Sequence, residues 1–403
     1  MGENTDSASK TTIYKAIFLM GLVSLLGDTV YEGGRGNIPS FLYYLGASAV
    51  VVGAVGGLGE LVGYTMRLVG GVLVDLSAKY WFFIFLGYGL IGFIPGLSLT
   101  TRIGGWILAT LFVILERIGK GVRSPARDTV LANVSKGIGR GKAFGIHEFM
   151  DQIGAVAGPS LIALLMAVTN NDYSFSFLFL GIPYVFLMIT LYITYKIIGE
   201  KSKEGITVKR KKYNFKSVET RSFLYYTFSI FFNTIGLVIA SIILYKASVL
   251  SKGYEWLPPA IYALIQLIDA PAALMSGILY DRKGVNILVL PFILSMFVAP
   301  FLFMSTNVIE VIGVALLYGL VLGMQESIYR AAVADIAPSQ YRGTAYGLFN
   351  TVLGLAFFLS GVIYGFMLDR KWPIVMVISY SIITQIIALI LLRISLRSIS
   401  EKR

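Results

Sequence analysis

The chain alternates between long apolar runs and short polar segments along its whole length. Each apolar run has about 18 or more residues, which is enough for a helix to cross the ~30 Å hydrocarbon core of a bilayer. Short turns such as 45–48 and 169–172 separate the runs. The pattern predicts an all-α polytopic membrane protein with about twelve transmembrane helices.

The longest polar stretch, residues 199–221, divides the chain almost in half. Nine Lys and Arg residues lie between Lys196 and Arg221, and basic loops favour the cytoplasmic side of a membrane. We therefore expect an N-terminal six-helix bundle over residues 1–198, a basic cytoplasmic linker over 199–221, and a C-terminal six-helix bundle over 222–403. The same rule, with about twelve spans, predicts that both termini lie in the cytoplasm. We expect a multi-pass protein of the cell (plasma) membrane.

The composition agrees with a membrane protein and excludes several other classes. Of the 403 residues, 56% are hydrophobic and 14% are charged, whereas a soluble protein carries roughly a quarter charged residues. The net charge of +12 comes from basic residues in short loops, so it does not indicate nucleic-acid binding. One histidine and no cysteine leave little for a metal site or a nucleophilic catalyst. We therefore expect neither an enzyme nor a cofactor.

Charged side chains occur inside the first apolar run. Asp28, Glu32 and Arg35 are spaced i, i+4 and i+7, so a helix places them on one face, which must meet protein or water rather than lipid. Four residues that disfavour a regular helix follow in the same run: Gly33, Gly34, Gly36 and Pro39. They predict that the outer part of this helix is weakened or broken, as in the discontinuous helices of transporters. A second interpretation is that Glu32 and Arg35 only neutralise each other at the outer interface.

The stretch 116–159 concentrates charge between two apolar helices. One helical stripe of the first helix carries four ionisable residues: Glu116, Lys120, Arg123 and Arg127. Arg117 and Asp128 share another stripe. We expect Arg127 and Asp128 to form a gate or structural pair. One face of the second helix carries His147, Asp151, Gly154 and Gly158. His147 is interpreted as an interfacial residue rather than a proton relay.

Isolated polar groups in other spans complete the set of candidates. Glu60 and Arg67 lie two turns apart in the second span, and Glu326 and Arg330, at i and i+4, can neutralise each other. Lone polar residues of the second half are predicted cavity liners: Asn233, Gln266, Asp269, Gln325 and Asn350. The candidates for proton coupling or for the substrate cavity are therefore Asp28, Glu32, Arg35, Glu60, Arg117, Lys120, Arg123, Asp151, Gln325 and Glu326.

The two halves repeat each other in sequence. Gly71-x-x-x-Asp75 returns as Gly277-x-x-x-Asp281, and the segment 140–145 returns in related form at 342–347. Two six-helix halves with matching loops indicate a duplicated bundle, and they predict a site at the interface between the halves.

These motifs resemble those of the major facilitator superfamily, and the resemblance covers nearly the whole chain. The segment Gly277–Gly284 is similar to that family's loop signature G-x-x-x-D-R-x-G, which implies that Asp281 and Arg282 help to close the cytoplasmic side. In the first-half copy, Asp75 is followed by Leu76 rather than by Arg. The residues that this resemblance assigns to gating loops are Gly71, Asp75, Gly277, Asp281, Arg282 and Gly284.

Two further motifs resemble the proton-coupled antiporter and efflux branch of this family. Arg117-Ile-Gly-Lys120-Gly121 is similar to the fourth-helix motif R-x-x-Q-G, with Lys120 in place of Gln. The segment from Gly154 through Gly158 to Pro159 is similar to the core G-x-x-x-G-P of the fifth-helix motif of exporters. These resemblances imply a proton antiporter. A second interpretation of Gly154 and Gly158 is simple close packing of helices.

The leading hypothesis is a secondary active transporter that works by alternating access and exports a small organic molecule in exchange for protons. Asp28 is the first candidate for the proton carrier, followed by Glu32 and Asp151. An alternative is uptake or exchange of an anionic small molecule through Lys120 and Arg123, and a passive channel or scramblase on the same fold is a third. The expected partners are a small-molecule substrate, a proton or other coupling ion, and the lipid bilayer, with no nucleic acid and a monomeric chain.

Overall fold

Long helices make up most of the computed structural model, which describes residues 2–135, 139–199, 221–337 and 342–400. The helices are α1 (Gly2–Tyr44), α2 (Ala49–Ser77), α3 (Tyr80–Leu90), α4 (Phe93–Gly96), α5 (Gly105–Val134), α6 (Arg140–Val168), α7 (Tyr173–Phe179), α8 (Gly181–Ile198), α9 (Arg221–Ile235), α10 (Ala240–Leu250), α11 (Leu257–Lys283), α12 (Val289–Met304), α13 (Val308–Ile336), α14 (Arg342–Asp369) and α15 (Ile374–Ser400). No strand occurs within these described ranges. Most of the predicted linker, residues 200–220, lies outside them.

The lengths and hydropathy of the helices confirm an all-α polytopic membrane protein. Ten stretches of the described chain are long and apolar enough to cross a membrane. One of them, Leu257–Met304, contains two helices, which separate at Gly284 where the backbone φ is +62°. Helix α5 has 30 residues, enough to span, but its charges exclude it from those ten. With α11 and α12 counted separately and α5 included, the described residues contain twelve spans, as predicted.

The first helix is continuous, so the predicted weakening of its outer part is wrong. Helix α1 runs unbroken from Gly2 to Tyr44 through its glycines and through Pro39. A Cβ atom on Gly33 would lie 3.1 Å from the backbone of Gly158 in α6, and one on Gly34 would meet Ile94. These glycines therefore serve close contact between helices rather than a break.

The discontinuous helix lies instead at the start of the second half. The predicted span 222–250 divides into α9 and α10, with residues 236–239 between them. Carbonyl groups released by this break accept hydrogen bonds from hydroxyl groups: Tyr380 donates to Ile235 at 3.0 Å, and Tyr364 donates to Gly236 at 2.6 Å. Because lipid offers no partner for backbone groups, these hydroxyls allow the helix to break inside the membrane.

The chain packs as two compact units that do not follow the midpoint of the sequence. The first unit comprises residues 1–35 and 66–211, and the second comprises residues 36–65 and 212–403. Helices α1 and α2 therefore each contribute residues to both units. The division into bundles at 1–198 and 222–403 follows chain order and stays a prediction.

Within the second unit, the start of α2 packs tightly against α14. A Cβ atom on Gly53 would collide with the carbonyl of Gly361. Asp369, the last residue of α14, accepts hydrogen bonds from the backbone N–H groups of Ala49 at 2.9 Å and Val50 at 3.0 Å. Its carboxylate therefore caps the N-terminus of α2, where orphan N–H groups and the helix dipole favour a negative charge.

The membrane topology is testable because the natural chain has no cysteine and therefore gives no labelling background. Asn171 lies in the turn between α6 and α7, and Thr207 lies in the predicted cytoplasmic linker. We expect an impermeant maleimide to label Asn171→Cys in intact cells and to label Thr207→Cys only after lysis, since the two loops face opposite sides. The reverse pattern would contradict the predicted orientation.

Candidate functional site

A buried tyrosine gathers three cations in the first unit. Tyr31 is 1% exposed, and its hydroxyl oxygen accepts hydrogen bonds from Arg117 at 2.6 Å and from Arg35 at 3.1 Å. The Lys120 ammonium lies 3.7 Å from the centre of the Tyr31 ring, in the position of a cation–π contact. The sequence pattern did not indicate Tyr31, because a tyrosine on an apolar helix has no signal that separates it from ordinary core.

Glu32 lies beside this tyrosine and faces two of its three cations. Its Oε1 atom is 3.6 Å from Nη1 of Arg35 and 3.6 Å from Nζ of Lys120. Glu32 is only 5% exposed, so the attraction acts in a poorly screened environment. Both distances exceed a good hydrogen bond. One carboxylate thus serves as counter-ion to Arg35 and Lys120, so its role goes beyond the local pair with Arg35.

Glu116, Arg117 and Arg123 on α5 form a second group of buried charges. Glu116 is 1% exposed and Arg123 is 2% exposed. The carboxylate of Glu116 lies 3.7 Å from Nε of Arg117 and 4.0 Å from Nη1 of Arg123, and the Arg123 guanidinium lies 4.7 Å from the Tyr88 ring centre. Among the described residues, Nε and Nη1 of Arg123 have no hydrogen-bond partner. Buried N–H groups without a hydrogen-bond partner are costly, so this group of charges can accept a further polar group as a partner.

Among the carboxylates of this cluster, that of Asp28 has no close partner in the described part of the chain. Its charge interacts with those of Asp151, Lys120, Glu32 and Arg123. In the described part of the chain, however, no hydrogen bond and no ion pair within 4.0 Å reaches its carboxylate. A carboxylate that faces a second carboxylate across two packed helices, with no cation bound to it, can exchange a proton.

Glycines of α6 bring Asp28 and Asp151 onto neighbouring backbones. A Cβ atom on Gly154 would collide with the carbonyl of Leu25 and would lie 3.1 Å from Cβ of Asp28. A Cβ atom on Gly158 would collide with the carbonyl of Thr29. Helix α6 continues through Pro159. The glycines of the fifth-helix motif therefore permit close contact with α1, which agrees with the packing interpretation and also positions the carboxylates.

A third group of charges joins three helices near the end of α5. The guanidinium of Arg127 bonds Asp128 at 3.0 Å and donates to Oγ of Ser24 at 3.0 Å, and its Nη1 lies 3.7 Å from Oδ2 of Asp151. The predicted pair of Arg127 and Asp128 is confirmed. Arg127 therefore connects α1, α5 and α6, and its guanidinium faces the carboxylate of Asp151.

His147 belongs to this group, and its assignment to the membrane interface stays a prediction. The residue is 2% exposed, and its Nδ1 atom lies 3.4 Å from Oδ2 of Asp151, one turn along α6. Periodicity placed His147 and Asp151 on one face correctly. It did not show that this face turns inward so close to the start of the helix.

Three of the remaining candidates belong to the second unit. Glu60 lies in the part of α2 that packs on α14, where a Cβ atom on Gly354 would approach its carbonyl at 3.4 Å. Gln325 is 5% exposed and donates to Oδ1 of Asn233 at 3.1 Å. Asn233 in turn donates to Gln385 at 2.7 Å. Gln325 is therefore fixed in a buried polar network.

Glu326 is exposed beside this network and lines a small cavity of about 30 Å³. The cavity lies within the second unit and has mainly aromatic and aliphatic walls: Tyr64, Leu322, Gln325, Glu326, Tyr329, Arg330, Phe349, Leu353 and Phe357. Tyr329 also donates to Asn233 at 2.5 Å, and the sequence analysis did not include it. Its apolar surroundings again gave no functional signal.

The residues assigned to gating loops lie at two helix ends. Gly71 and Asp75 are near the C-terminal end of α2, and Gly277, Asp281 and Arg282 are in the last turns of α11. The three charged residues are exposed: Asp75, Asp281 and Arg282. Gly284 has a φ of +62°, which explains the glycine at this place. A gating role stays a prediction.

The contact between α1 and α6 gives a prediction with a matched control on the same helix. Gly158→Ala places a methyl group against the carbonyl of Thr29, whereas Gly145→Ala meets nothing within 4 Å. We expect Gly158→Ala to lower the free energy of unfolding by about 1–3 kcal/mol, because α1 and α6 must separate. Gly145→Ala should leave stability unchanged or raise it. Equal thermal unfolding midpoints for the two purified variants would contradict the close contact.

Comparison with known proteins identifies similar chains and folds. The family model described as Major Facilitator Superfamily matches residues 17–361. An uncharacterised protein of Mycobacterium tuberculosis is 34% identical over 386 residues, covering 92% of each chain. An uncharacterised MFS-type transporter of Methanocaldococcus jannaschii is 28% identical over 362 residues, covering 88% of each chain.

Solved transporter structures share the fold at low sequence identity. A peptide transporter of the POT type has a TM-score of 0.75 at 14% identity and covers 95% of each chain. A nucleoside transporter has a TM-score of 0.72 at 12% identity, covering 95% of this chain and 99% of its own. The xylose transporter of E. coli, in an inward-open conformation, has a TM-score of 0.66 at 15% identity and covers 94% and 95% of the two chains.

Proposed function

Because the chain belongs to the major facilitator superfamily, we propose that it is a secondary active transporter that exports a small organic molecule in exchange for protons. The observation that carries this proposal is Asp28, a membrane-embedded carboxylate with charged neighbours but no close ion-pair partner among the described residues. Such a group can hold the transported proton, and Arg117 and Lys120 on α5 are the cations that can approach its carboxylate and displace that proton.

Antiport requires that the proton and the substrate exclude each other. If substrate binding is favoured by the ionised state of Asp28, the proton and the substrate compete, and binding of one lowers the affinity for the other by the same factor. A substrate that interacts with the ionised carboxylate therefore competes with the proton. Exposure of Asp28 to each side of the membrane in turn then exchanges one ligand for the other.

The wider assignments follow from the same proposal. We place the protein in the cell membrane as a monomer with both termini in the cytoplasm, because the basic loops favour that orientation. The loops ending at Asp75 and at Asp281–Arg282 are proposed to close the cytoplasmic side. The substrate is a small organic molecule, the class that includes the peptide, nucleoside and sugar handled by the structural neighbours.

Asp28→Asn tests the proposal in proteoliposomes with a transported compound found by thermal-shift screening. The amide cannot carry a proton, so we expect accumulation driven by a pH gradient to be lost, while exchange of labelled for unlabelled substrate continues at substrate concentrations that offset the loss of the carboxylate contact. Asp172→Asn is the matched control, because Asp172 only caps α7 through the N–H of Phe175 and an asparagine caps equally well.

The alternative outcomes identify the next candidates. If Asp28→Asn still accumulates substrate, Asp28 is structural and the same test passes to Glu32 and Asp151. If all three neutral variants accumulate substrate, proton coupling is the wrong mechanism.

Uptake or exchange of an anion is a second candidate, and the sharing of Glu32 by two cations favours it. Arg35 and Lys120 both lie 3.6 Å from Oε1 of Glu32, so an anionic substrate can replace this carboxylate as their counter-ion. Once released, Glu32 would bind a proton more readily. Anion and proton would then bind together, which gives symport rather than antiport.

Lys120→Gln distinguishes this second candidate. If an anion binds there, the variant should lose stabilisation by inorganic phosphate and organic anions in a thermal-shift assay and keep stabilisation by neutral compounds, because the attracting charge is gone. Lys142→Gln is the control, since Lys142 also contacts a tyrosine, with Nζ 3.0 Å from the Tyr14 hydroxyl, but it is exposed. Equal anion responses in the two variants would remove the anion candidate.

A further inference from the structure

His147 is a buried ionisable residue that the mechanism above leaves unused. It is the one histidine of the chain, and it is 2% exposed inside an apolar helix. Its neighbours in sequence on α6, Glu148 and Phe149, are exposed. A polar side chain turned inward from such a helix costs free energy, so its contacts merit a functional explanation.

The two ring nitrogens of His147 have different surroundings. Nδ1 faces Oδ2 of Asp151 at 3.4 Å. Nε2 is buried and has no hydrogen-bond partner among the described residues. A neutral imidazole has one nitrogen that accepts and one that donates, so it can take a proton on one side and release a proton from the other. A side chain with one nitrogen at a carboxylate and the other without a protein partner among the described residues suits a relay.

The charges that face His147 come from α5 and α6. They belong to Arg127, Asp128 and Asp151. Nη1 of Arg127 lies 3.7 Å from Oδ2 of Asp151, the same atom that faces Nδ1 of His147, so this carboxylate oxygen lies between the guanidinium and the imidazole. The charge of Asp151 also reaches Asp28, against which Gly154 packs. The order Asp28, Asp151, His147 therefore runs from the middle of α1 toward the start of α6.

We propose that His147 relays the coupling proton between Asp151 and the solution at the end of the first unit where α6 begins. This inference rests on the proposed proton coupling through Asp28. In the release direction, the O–H bond of protonated Asp28 breaks and an O–H bond forms on Asp151. That proton then forms an N–H bond at Nδ1 of His147, while the proton on Nε2 leaves to water. To reset the imidazole, the ring rotates so that Nδ1 faces water, the Nδ1 proton leaves to water and Nε2 takes a proton from water, which restores the original tautomer with no net transfer.

The relay belongs to one side of the membrane. Helix α6 begins at Arg140, within the basic segment 136–142, which we expect to be cytoplasmic because basic residues favour that side. Residues 136–138 of that segment lie outside the described residues. His147 therefore serves the step in which the proton leaves Asp28 for the cytoplasm or enters from it. The opposite side of the membrane needs no contribution from this histidine.

The proton itself is the probe in the test, so no substrate is needed. The purified full-length protein in lipid vesicles is subjected to a rapid pH jump, and the carboxyl C=O band is followed by time-resolved infrared spectroscopy. We expect His147→Gln to slow the protonation change of the buried carboxyls by roughly ten-fold or more and to leave its final amplitude unchanged. His147→Asn repeats the test with a shorter side chain. Glu148→Gln, a change at the adjacent exposed residue, should keep the natural rate.

The final amplitude of the carboxyl C=O band change distinguishes a relay role of His147 from a structural role. A slower change with unchanged amplitude and unchanged thermal stability supports the relay. An unchanged rate in both histidine variants overturns it, and so does a loss of amplitude together with stability, because a misplaced Asp151 would cause both. Asp28→Asn measured alongside identifies the Asp28 band. If no band depends on Asp28, the proposed function fails, whereas a dependent band with equal rates in the histidine variants removes only the relay.

Discussion

The burial of charge inside an apolar bundle is the constraint on which the first unit depends. An isolated ionised side chain is costly in the hydrocarbon region, so each charge must face another charge, a hydroxyl or an aromatic ring. Tyr31 meets this requirement for Arg35, Arg117 and Lys120 at once. Glu32 neutralises two of these cations without good hydrogen-bond geometry. The result is a network that is held together but can exchange partners, which is what a coupling site needs.

Glycine makes this network possible by removing side chains where helices cross. Gly154 and Gly158 bring α6 onto the backbone of α1, and they bring Asp151 close enough to influence Asp28. Glycines also allow the start of α2 to pack against α14, where Gly53 contacts Gly361. Close packing and charge placement are thus one structural feature, because a larger residue at these crossings would separate the helices and the carboxylates together.

The sequence predicted the spans and the shared faces well, since both follow directly from hydropathy and helical period. It placed Lys120 on the face that meets Glu32, and it identified Asp28 as unusual. Three features could not be predicted from the sequence, each for a physical reason. Glycine and proline patterns do not distinguish a broken helix from a closely packed one, so α1 was expected to break and the interruption before α10 was missed. A tyrosine looks like core until its hydroxyl partners are known. Periodicity gives the face of His147 but not the depth at which that face is buried.

The most direct test of the central claim measures protons exchanged when substrate binds. Calorimetry in buffers of different ionisation enthalpy gives the number and the sign of protons released, and it is applied to the natural protein and to Asp28→Asn. Proton antiport through Asp28 predicts release of about one proton per substrate by the natural protein and none by the variant. Proton uptake on binding, or release that persists in Asp28→Asn, would contradict the account.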